Sequence, residues 1–206
     1  MPDRLPIAVL ASGGGTNLQA ILDASKAPGY HAVVAVVIAD RAGVHALERA
    51  EAAGVPAVVI PWDGFGDRHL FTTAVCDEAG RHGAAALVLA GFMRILAPVA
   101  VARFPHRILN THPALLPAFP GAHAVAQALA HGVKLSGVTI HFVDEEVDHG
   151  PIIVQESLPV LPGDTEDDLR RRIQEVEHRL YPDVVDAFAA GRLRVTGRLV
   201  TWDDTP

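Results

Sequence analysis

Asn110 and His112 are the residues best suited to carry chemistry, because an amide donor and a titratable imidazole stand two positions apart. In a strand, residues two apart point to the same side, so both would face one side while Thr111 faces the other. Pro113 offers no amide to a sheet, and we expect the strand to end there. Ligands of parallel α/β sheets bind at such carboxyl ends. The pattern therefore predicts a proton carrier and a hydrogen-bond donor that face one crevice.

A glycine-rich segment, residues 12–17, lies directly between a predicted strand and a predicted helix. Glycines permit a sharp turn, and free amides at the start of a helix attract phosphate. Leu18 stands where a dinucleotide-binding loop has its third glycine, and the Gly-Lys-Ser/Thr ending of a Walker loop is absent. Asp40, at the end of the second predicted strand, could bind a ribose, so a nicotinamide site stays an alternative. The segment could also be a tight turn that binds no ligand. The segment favours a monophosphate or a similar anion.

An acidic segment, residues 144–151, precedes the next apolar run. Most of its carboxylates are expected to be solvated, as charge runs usually are. Asp148 is the exception, because it comes just before a Gly-Pro turn that leads into an apolar strand. A carboxylate next to His112 would favour the imidazolium and fix the orientation of the ring. Asp148 is therefore the acid that we expect to act on His112.

Metal binding and serine-hydrolase chemistry are disfavoured. The sequence has no His-Glu-x-x-His motif, and its one cysteine, Cys76, excludes thiolate clusters. A site made of His112, His141 and Asp148 stays open, although we expect no metal. No Gly-x-Ser-x-Gly turn is present to expose a nucleophilic serine.

The composition excludes several other classes of protein. The chain has 206 residues, a net charge of −7 and no Lys/Arg cluster of the kind that binds nucleic acid. Residues 170–172 are arginines, but they follow the acidic residues 166–168 and indicate one charged helix face. No apolar stretch is long enough to span a bilayer, no signal peptide is evident, and a single cysteine fits a reducing compartment. We expect a cytoplasmic protein with no nucleic-acid or membrane partner.

The elements that must position these residues alternate along the first half of the chain. Strands are predicted at residues 7–11, 32–39, 56–60, 85–90 and 107–110, and helices at residues 17–25, 44–53, 67–81 and 98–103. Several strands are continuously apolar, as in a parallel sheet that is covered on both faces. The alternation predicts an α/β fold of the Rossmann-like, doubly wound class with a mostly parallel sheet.

The second half has a different pattern. Strands at residues 138–143 and 152–160 are separated only by the acidic segment, which indicates an antiparallel C-terminal extension. A long C-terminal helix is predicted from Thr165 towards Gly191, with Asp168 placed for a capping box and Pro182 as the place where it would kink. Residues 194–195 and 199–200 would form a closing hairpin. We expect one domain over residues 1–206, with a phosphate-binding half to about residue 105 and a catalytic half from about residue 106.

Five sequence motifs, taken together, resemble one family closely. They read ASGGGTNLQA at 11–20, AGFMRIL at 90–96, NTHPALLP at 110–117, HFV at 141–143 leading to DHGP at 148–151, and QEVEHRLYP at 174–182. Over nearly its whole length, and in the same order, the chain is similar to the folate-dependent phosphoribosylglycinamide formyltransferases of purine biosynthesis. The resemblance implies transfer of a formyl group from 10-formyltetrahydrofolate, as co-substrate, to the primary amine of glycinamide ribonucleotide.

The resemblance also implies a role for each matching residue. Asn110, His112 and Asp148 match the catalytic residues of the family. The residues that match its substrate site hold the phosphate (Gly14, Gly15, Thr16 and Asn17) or the sugar and glycinamide portions (Gln174 and Glu177). The residues that match the folate pocket are Arg68, Met93, Arg94, Ile95, Leu96, Asp144 and Val147. Both substrates are small molecules, no metal is required, and a homodimer is compatible with the sequence.

These residue types suit a formyl transfer. When the amine attacks the formyl carbon, negative charge grows on the formyl oxygen, to which Asn110 and a protonated His112 can both donate. Asp148 would keep His112 protonated and could accept the amine proton, through water, for return to the folate nitrogen. Arg94 and Arg68 would meet the terminal carboxylates of the folate.

Three positions depart from the family pattern. Ala114 replaces a common serine, Ala118 stands where a polar residue is frequent, and His149 follows Asp148 where a small residue is usual. None of them is in the catalytic set, so only local loop contacts are in doubt. We expect His149 to be a solvated loop residue.

Four other functions fit parts of this pattern. A formyltetrahydrofolate hydrolase would use the same catalytic residues with water as acceptor, but that family usually has an additional amino-terminal domain, and here a strand is predicted close to Met1. Transfer to methionyl-tRNA is disfavoured, because we find neither a basic surface nor an appended C-terminal domain. The missing third glycine disfavours a nicotinamide oxidoreductase. The combination of Asn110, His112 and Asp148 disfavours a non-catalytic sugar-phosphate binder.

Overall fold

A single sheet of nine strands runs through the residues described by the computed structural model, 4–203. The strands are β1 (Leu5–Ala11), β2 (Ala32–Ala39), β3 (Ala57–Val59), β4 (Ala86–Leu89), β5 (Ile108–His112), β6 (Leu135–Phe142), β7 (Ile152–Pro159), β8 (Leu193–Thr196) and β9 (Leu199–Trp202). The helices are α1 (Thr16–Ala24), α2 (His45–Ala52), α3 (Arg68–Arg81), α4 (Pro98–Arg103), α5 (Ala124–His131) and α6 (Glu166–Ala189), with a short 3-10 helix at Trp62–Gly64. The ends of the predicted domain, residues 1 and 206, lie outside the described residues.

The strand order of the sheet is β3-β2-β1-β4-β5-β6-β7-β9-β8. Neighbouring strands from β3 to β5 are parallel, whereas β6 is antiparallel to both β5 and β7. β8 and β9 form the predicted hairpin, which extends the sheet beyond β7. The predicted fold class is therefore confirmed. The strand order reverses between β1 and β4, and the crevice at their carboxyl ends is where such sheets bind ligands.

Both faces of the parallel strands are covered. In β1, the side chains of Ile7 and Val9 lie in one hydrophobic core with residues of α1 and α6. The side chains of Ala8 and Leu10 lie in a second core with residues of α3 and α4. This double burial explains the continuously apolar runs in the sequence. It leaves the strand ends, rather than the strand faces, to carry polar side chains.

Tyr181 connects α6 to the centre of the sheet. Its side chain is fully buried, and its hydroxyl is shared between the Leu89 carbonyl at 3.1 Å and the Leu109 carbonyl at 3.0 Å. Leu89 is the last residue of β4, and Leu109 is the second residue of β5. At the start of α6, Thr165 and Asp168 form the predicted capping box. The helix is thus fixed by a cap at its N-terminus and by the Tyr181 hydrogen bonds to β4 and β5.

One helical feature differs from the sequence-based prediction. α5 was not predicted, because His123 precedes it in a left-handed conformation without a side-chain cap and so gives no start signal. α6 is one helix that contains Pro182 and ends at Ala189, close to the predicted end at Gly191, and the kink at Pro182 stays a prediction. Among residues 4–203, no helix combines the length and the apolar character needed to cross a membrane.

Candidate active site

β5 brings Asn110 and His112 next to Asp148 at the carboxyl edge of the sheet. The Nδ1 atom of His112 lies 3.3 Å from Asp148 Oδ2, and the Asn110 amide donates to Asp148 Oδ1 over 3.4 Å. β5 ends at His112, directly before Pro113, as the sequence predicts. Thr111 faces the other side of the sheet, where its hydroxyl donates to Glu177. The structure therefore brings together the three residues that were predicted to carry chemistry.

Backbone contacts of two loops hold Asp148 in this position. Its own backbone is left-handed, with φ 52°, a conformation that Asp adopts more readily than most residues. The Gly121 amide donates to Asp148 Oδ2 over 2.7 Å. At Gly150 a Cβ atom would lie 1.8 Å from the Phe142 carbonyl oxygen, so this close approach requires glycine. The Asp148 side chain is only 11% exposed, and water therefore screens its charge weakly.

Both ring nitrogens of His112 face acceptors. The residue is 4% exposed, and its Nε2 donates to the Phe119 carbonyl over 2.8 Å. That bond places one proton on Nε2, so a second proton at Nδ1 makes an imidazolium that faces Asp148. Each ring nitrogen therefore has an oxygen atom within reach, Phe119 at Nε2 and Asp148 at Nδ1.

His141 is a further member of this cluster, considered from the sequence only as a metal ligand. It lies opposite Asn110 in the β5–β6 pairing, and its Nε2 is 3.2 Å from the Asn110 amide nitrogen. Its Nδ1 is 2.9 Å from the Phe142 carbonyl. Burial lowers the pKa of His141 despite the nearby Asp148. A neutral His141 therefore donates from Nδ1 to Phe142 and accepts from Asn110 at Nε2, which orients the amide.

A cavity of about 360 Å³ opens between the glycine-rich segment and α6. It is lined by the six residues that were predicted for the substrate site: Gly14, Gly15, Thr16, Asn17, Gln174 and Glu177. Thr111 and Pro113, which flank His112, line it as well. Gly15 has φ 67°, and a Cβ there would lie 2.8 Å from Ala46, so only glycine fits. The cavity and the Asp148 cluster therefore meet at the end of β5.

Glu177 is a buried carboxylate in the lining of this cavity. It is 6% exposed and accepts from the Asn17 amide over 3.0 Å and from the Thr111 hydroxyl over 2.9 Å. Burial raises the pKa of Glu177, and these two hydrogen bonds oppose the rise. Among residues 4–203, Asn17 Oδ1 is one of the few buried side-chain atoms without a hydrogen-bond partner.

Other contacts around the glycine-rich segment were not predicted. The Ser12 hydroxyl accepts from the Met93 amide over 2.8 Å, and Arg49 donates to the Gly14 carbonyl over 2.8 Å. Arg170 lines the same cavity from α6. Only Ser12 had a sequence signal, because it directly precedes the glycines.

Arg94 and Asp40 form an ion pair at the ends of β4 and β2. Arg94 Nε donates to Asp40 Oδ2 over 2.6 Å, and its guanidinium carbon lies 5.1 Å from the centre of the Trp62 ring. Asp40 is 2% exposed and also faces Arg41. Asp40 was the acid that supported a nicotinamide site in the sequence. Because Arg94 occupies its carboxylate, Asp40 no longer supports a contact with a ribose.

The remaining residues that resemble the folate pocket lie in different surroundings. Met93 lines the cavity of the glycine-rich segment, while Leu96 packs partly against the second core. Ile95 and Val147 are exposed, as is Arg68 at the start of α3. Asp144 pairs with His149 at 2.7 Å, and His149 is exposed in the loop, as predicted.

The alternative metal site does not have suitable geometry. Asp148 lies between His112 and His141, with the His141 Nε2 atom 3.7 Å from its Oδ1. Over the described range, 4–203, no group of three or more His, Cys, Asp or Glu side chains is arranged to hold a metal ion.

Comparisons with known proteins agree with this geometry. The formyl transferase family model matches residues 5–185. A phosphoribosylglycinamide formyltransferase of Escherichia coli is 43% identical over 189 residues, which cover 92% of this chain and 89% of the relative. The crystal structure of glycinamide ribonucleotide transformylase 1 from Symbiobacterium toebii has a TM-score of 0.96 and 49% identity, covering 99% of this chain and 96% of that chain.

A hydrolytic relative shares the same fold. The crystal structure of a formyltetrahydrofolate deformylase from Pseudomonas syringae has a TM-score of 0.90 and 29% identity. It covers 98% of this chain but 67% of that chain. The scaffold alone therefore does not separate transfer to an amine from transfer to water.

Proposed function

This chain belongs to the formyl transferase family, and we propose that it transfers the formyl group of 10-formyltetrahydrofolate to the amine of glycinamide ribonucleotide in purine biosynthesis. The observation that carries this proposal is the junction at β5. There the Asn110, His112 and Asp148 cluster meets a cavity that contains a glycine-rich segment and a buried carboxylate. The enzyme is thus a one-carbon group transferase.

The residues that line the cavity support binding of the ribonucleotide there. The amides of Gly14, Gly15, Thr16 and Asn17 lie at the N-terminus of α1, where backbone donors and the helix dipole favour a phosphate. Glu177 and Gln174 can bind the sugar hydroxyls and the glycinamide portion, because both line the cavity one helical turn apart. The amine would then lie near His112, at the strand end.

The folate is proposed to bind beside the ribonucleotide cavity, with Met93, which lines that cavity, at the border between the two ligands. Arg94 and Arg68 supply positive charge for its terminal carboxylates, with Arg94 oriented by Asp40 and Trp62. Met93, Ile95, Leu96 and Val147 supply apolar contacts, and Asp144 lies on the loop that leads to Asp148. The exposed Met93 and Ile95 side chains, 67% and 53% accessible, support this assignment, because a ligand would cover them.

Asn110 and His112 act as donors to the formyl oxygen. In this structure the Asn110 amide faces Asp148 and His141, and the His112 ring faces Phe119 and Asp148. Donation to substrate therefore exchanges a protein acceptor for the oxygen that becomes negative. Such pre-oriented donors stabilise that charge better in the transition state than in the ground state.

Asp148 is proposed to accept the amine proton, from a position 3.3 Å from the His112 Nδ1 atom. As the amine nitrogen bonds to the formyl carbon, it gives up a proton, which Asp148 accepts through water. The bond between the formyl carbon and the folate nitrogen then breaks, and that nitrogen receives the proton. Atoms and charge balance without an additional reactant.

The test follows the absorbance change as 10-formyltetrahydrofolate is consumed, with and without glycinamide ribonucleotide. We expect consumption to depend on the ribonucleotide, with formyl glycinamide ribonucleotide as product. Equal consumption without the amine would instead establish the hydrolase, the second candidate that the structural relative supports. A parallel assay with nicotinamide cofactors should show no turnover, and cofactor-dependent turnover would contradict the proposal.

We also propose that the two halves of the chain form one domain in the cytoplasm. The continuous sheet from β3 to β8 supports one domain, since both halves share it. The buried free thiol of Cys76 is consistent with a reducing compartment. A single cooperative unfolding transition and recovery in the cytoplasmic fraction are the expected results.

A further inference from the structure

We propose that Arg170 binds the phosphate group of the substrate and makes the enzyme selective for the phosphorylated ribonucleotide. This inference rests on the proposed function and adds a residue that the sequence motifs do not mark. From the sequence, Arg170 belongs to a charged helix face with Glu166 and its neighbours. In the structure, Arg170 also lines the cavity. It is the one lysine or arginine among the described residues of that lining.

The periodicity of α6 places Arg170 towards the cavity. Residues 170, 173, 174 and 177 all line it, which is the spacing of a single helix face. Gln174 and Glu177 follow Arg170 by one and two turns, so Arg170 occupies the end of this row nearest to the start of α6. The glycine-rich segment lines the same cavity from the other side. Arg170 therefore can reach a group held by the amides of that segment.

A phosphate in this cavity would need a full positive charge nearby, which the Arg170 guanidinium can supply. A phosphate monoester carries between one and two negative charges near neutral pH, and backbone amides at the N-terminus of α1 offer only partial positive charge. The other ionisable side chain in the lining is the carboxyl of Glu177, which would repel a phosphate. Arginine offers a planar fork that matches phosphate oxygens. Arg170 thus supplies a full positive charge within the cavity lining, in addition to Arg49, which contacts the Gly14 carbonyl but does not belong to the lining.

The present partners of Arg170 can be exchanged. Its guanidinium contacts Glu166 and also Asp167, the latter at 3.1 Å. The Arg170 side chain is 45% exposed and that of Asp167 is 90% exposed, so these pairs within one helix are weak. Two carboxylates occupy only part of its five donors, so the guanidinium can exchange them for phosphate oxygens.

A second observation indicates that the cavity is built for a polar ligand. Asn17 lines it and is 7% exposed, yet within residues 4–203 its Oδ1 atom has no hydrogen-bond partner. Buried polar atoms normally have a partner, which a bound ligand can provide. The cavity therefore presents both a cation and an unpaired acceptor next to the glycine-rich segment.

The test compares Arg170→Ala and Arg170→Lys with a matched control, Arg171→Ala. Arg171 is the next residue, pairs with Asp168 and does not belong to the cavity lining. Binding of ribose 5-phosphate and of ribose to the full chain is measured by calorimetry, which requires no turnover. We expect Arg170→Ala to weaken ribose 5-phosphate binding by about 10- to 100-fold without changing ribose binding. Arg170→Lys should weaken ribose 5-phosphate binding less, and Arg171→Ala should bind ribose 5-phosphate as tightly as the wild type does.

Kinetics provide the second measurement. Arg170→Ala should raise KM for glycinamide ribonucleotide by a similar factor with kcat changed less than about twofold, and leave the parameters for the unphosphorylated riboside unchanged. Equal weakening of phosphorylated and unphosphorylated ligands, or no weakening of either, would overturn the role of Arg170. So would a wild type that binds ribose 5-phosphate no better than ribose. Because the calorimetry needs no formyl transfer, failure of the proposed reaction would leave this result interpretable.

Discussion

The Thr111 hydroxyl donates to Glu177 over 2.9 Å from a strand position between Asn110 and His112. The last residues of β5 therefore contact both sides of the sheet. Thr111 faces the cavity with the glycine-rich segment, while its neighbours face Asp148. Because alternate residues of one strand point in opposite directions, a single short segment can hold two substrates on either side of the reacting atoms.

Thr111→Val keeps the shape of the side chain and removes its donor. We expect the free energy of unfolding to fall by about 1–3 kcal/mol, because one oxygen of a buried carboxylate loses its partner. KM for the ribonucleotide should rise, since Glu177 loses its orientation. Urea unfolding and steady-state kinetics measure the two effects. Thr73→Val is the matched control, because its hydroxyl bonds only to the carbonyl of His69 in the same helix. Equal effects of both substitutions would contradict the role of Thr111.

Much of the fold could be predicted from the sequence. Continuously apolar runs indicated the parallel strands, and the Pro113 boundary correctly placed Asn110 and His112 at a strand end. The glycine-rich segment also lies where predicted, at the N-terminus of α1. These are local signals, since strand periodicity, the missing proline amide and glycine freedom act over a few residues.

The contacts that orient the site depend on long-range pairing and could not be predicted in this way. His141 reaches Asn110 only because β5 and β6 pair in one particular antiparallel register. Asp40 and Arg94 meet because the strand order brings the ends of β2 and β4 towards the same edge. Arg170 looked like part of a solvated helix face until the packing of α6 showed which residues line the cavity. No local pattern in the sequence specifies these pairings.

His112→Ala and Asp148→Asn should each lower kcat by orders of magnitude. The loss of one donor to a developing oxyanion typically costs about 2.7–4 kcal/mol, and Asp148 acts through the same ring. The double variant should be little worse than either single variant, because the two residues act as a unit. Ribonucleotide binding should change little. His45→Ala, at an exposed position on α2, is the control. Full additivity, or unchanged turnover in either variant, would count against the assigned roles.

Glu177→Gln should reveal a pH-dependent stability difference. The pKa of Glu177 is raised by burial, so the native state keeps this proton to higher pH than the unfolded state does. As pH rises through the unfolded value of about 4.3, the wild type loses stability relative to the Gln variant, and the difference becomes constant above the folded pKa. Urea unfolding of both proteins from pH 4 to pH 8 measures this. A difference that does not change with pH would refute the interpretation.

In steady-state kinetics, Glu177→Gln should raise KM for the ribonucleotide, because a neutral amide binds sugar hydroxyls more weakly.

Asp40→Asn tests whether the carboxylate orients Arg94 for folate. Burial would raise the pKa of Asp40, but hydrogen bonds from Arg94, Ser12 and Arg41 outweigh it and hold the pKa below its usual value. The stabilisation is therefore complete above about pH 4 and is lost as pH falls through the folded pKa. At neutral pH the variant should be less stable by about 2 kcal/mol, and this deficit should shrink in acid.

Asp40→Asn should change the KM of the folate substrate alone. KM for 10-formyltetrahydrofolate should rise several-fold, because Arg94 loses the partner that fixes its fork, while KM for the ribonucleotide should stay the same. Arg94→Lys should give a similar change, since lysine keeps the charge without the fork. Asp63→Asn, at an exposed position in the neighbouring 3-10 helix, is the control. If the KM values of both substrates rose together, the ion pair would stabilise the fold generally, and the assignment of Arg94 to the folate would lose its support.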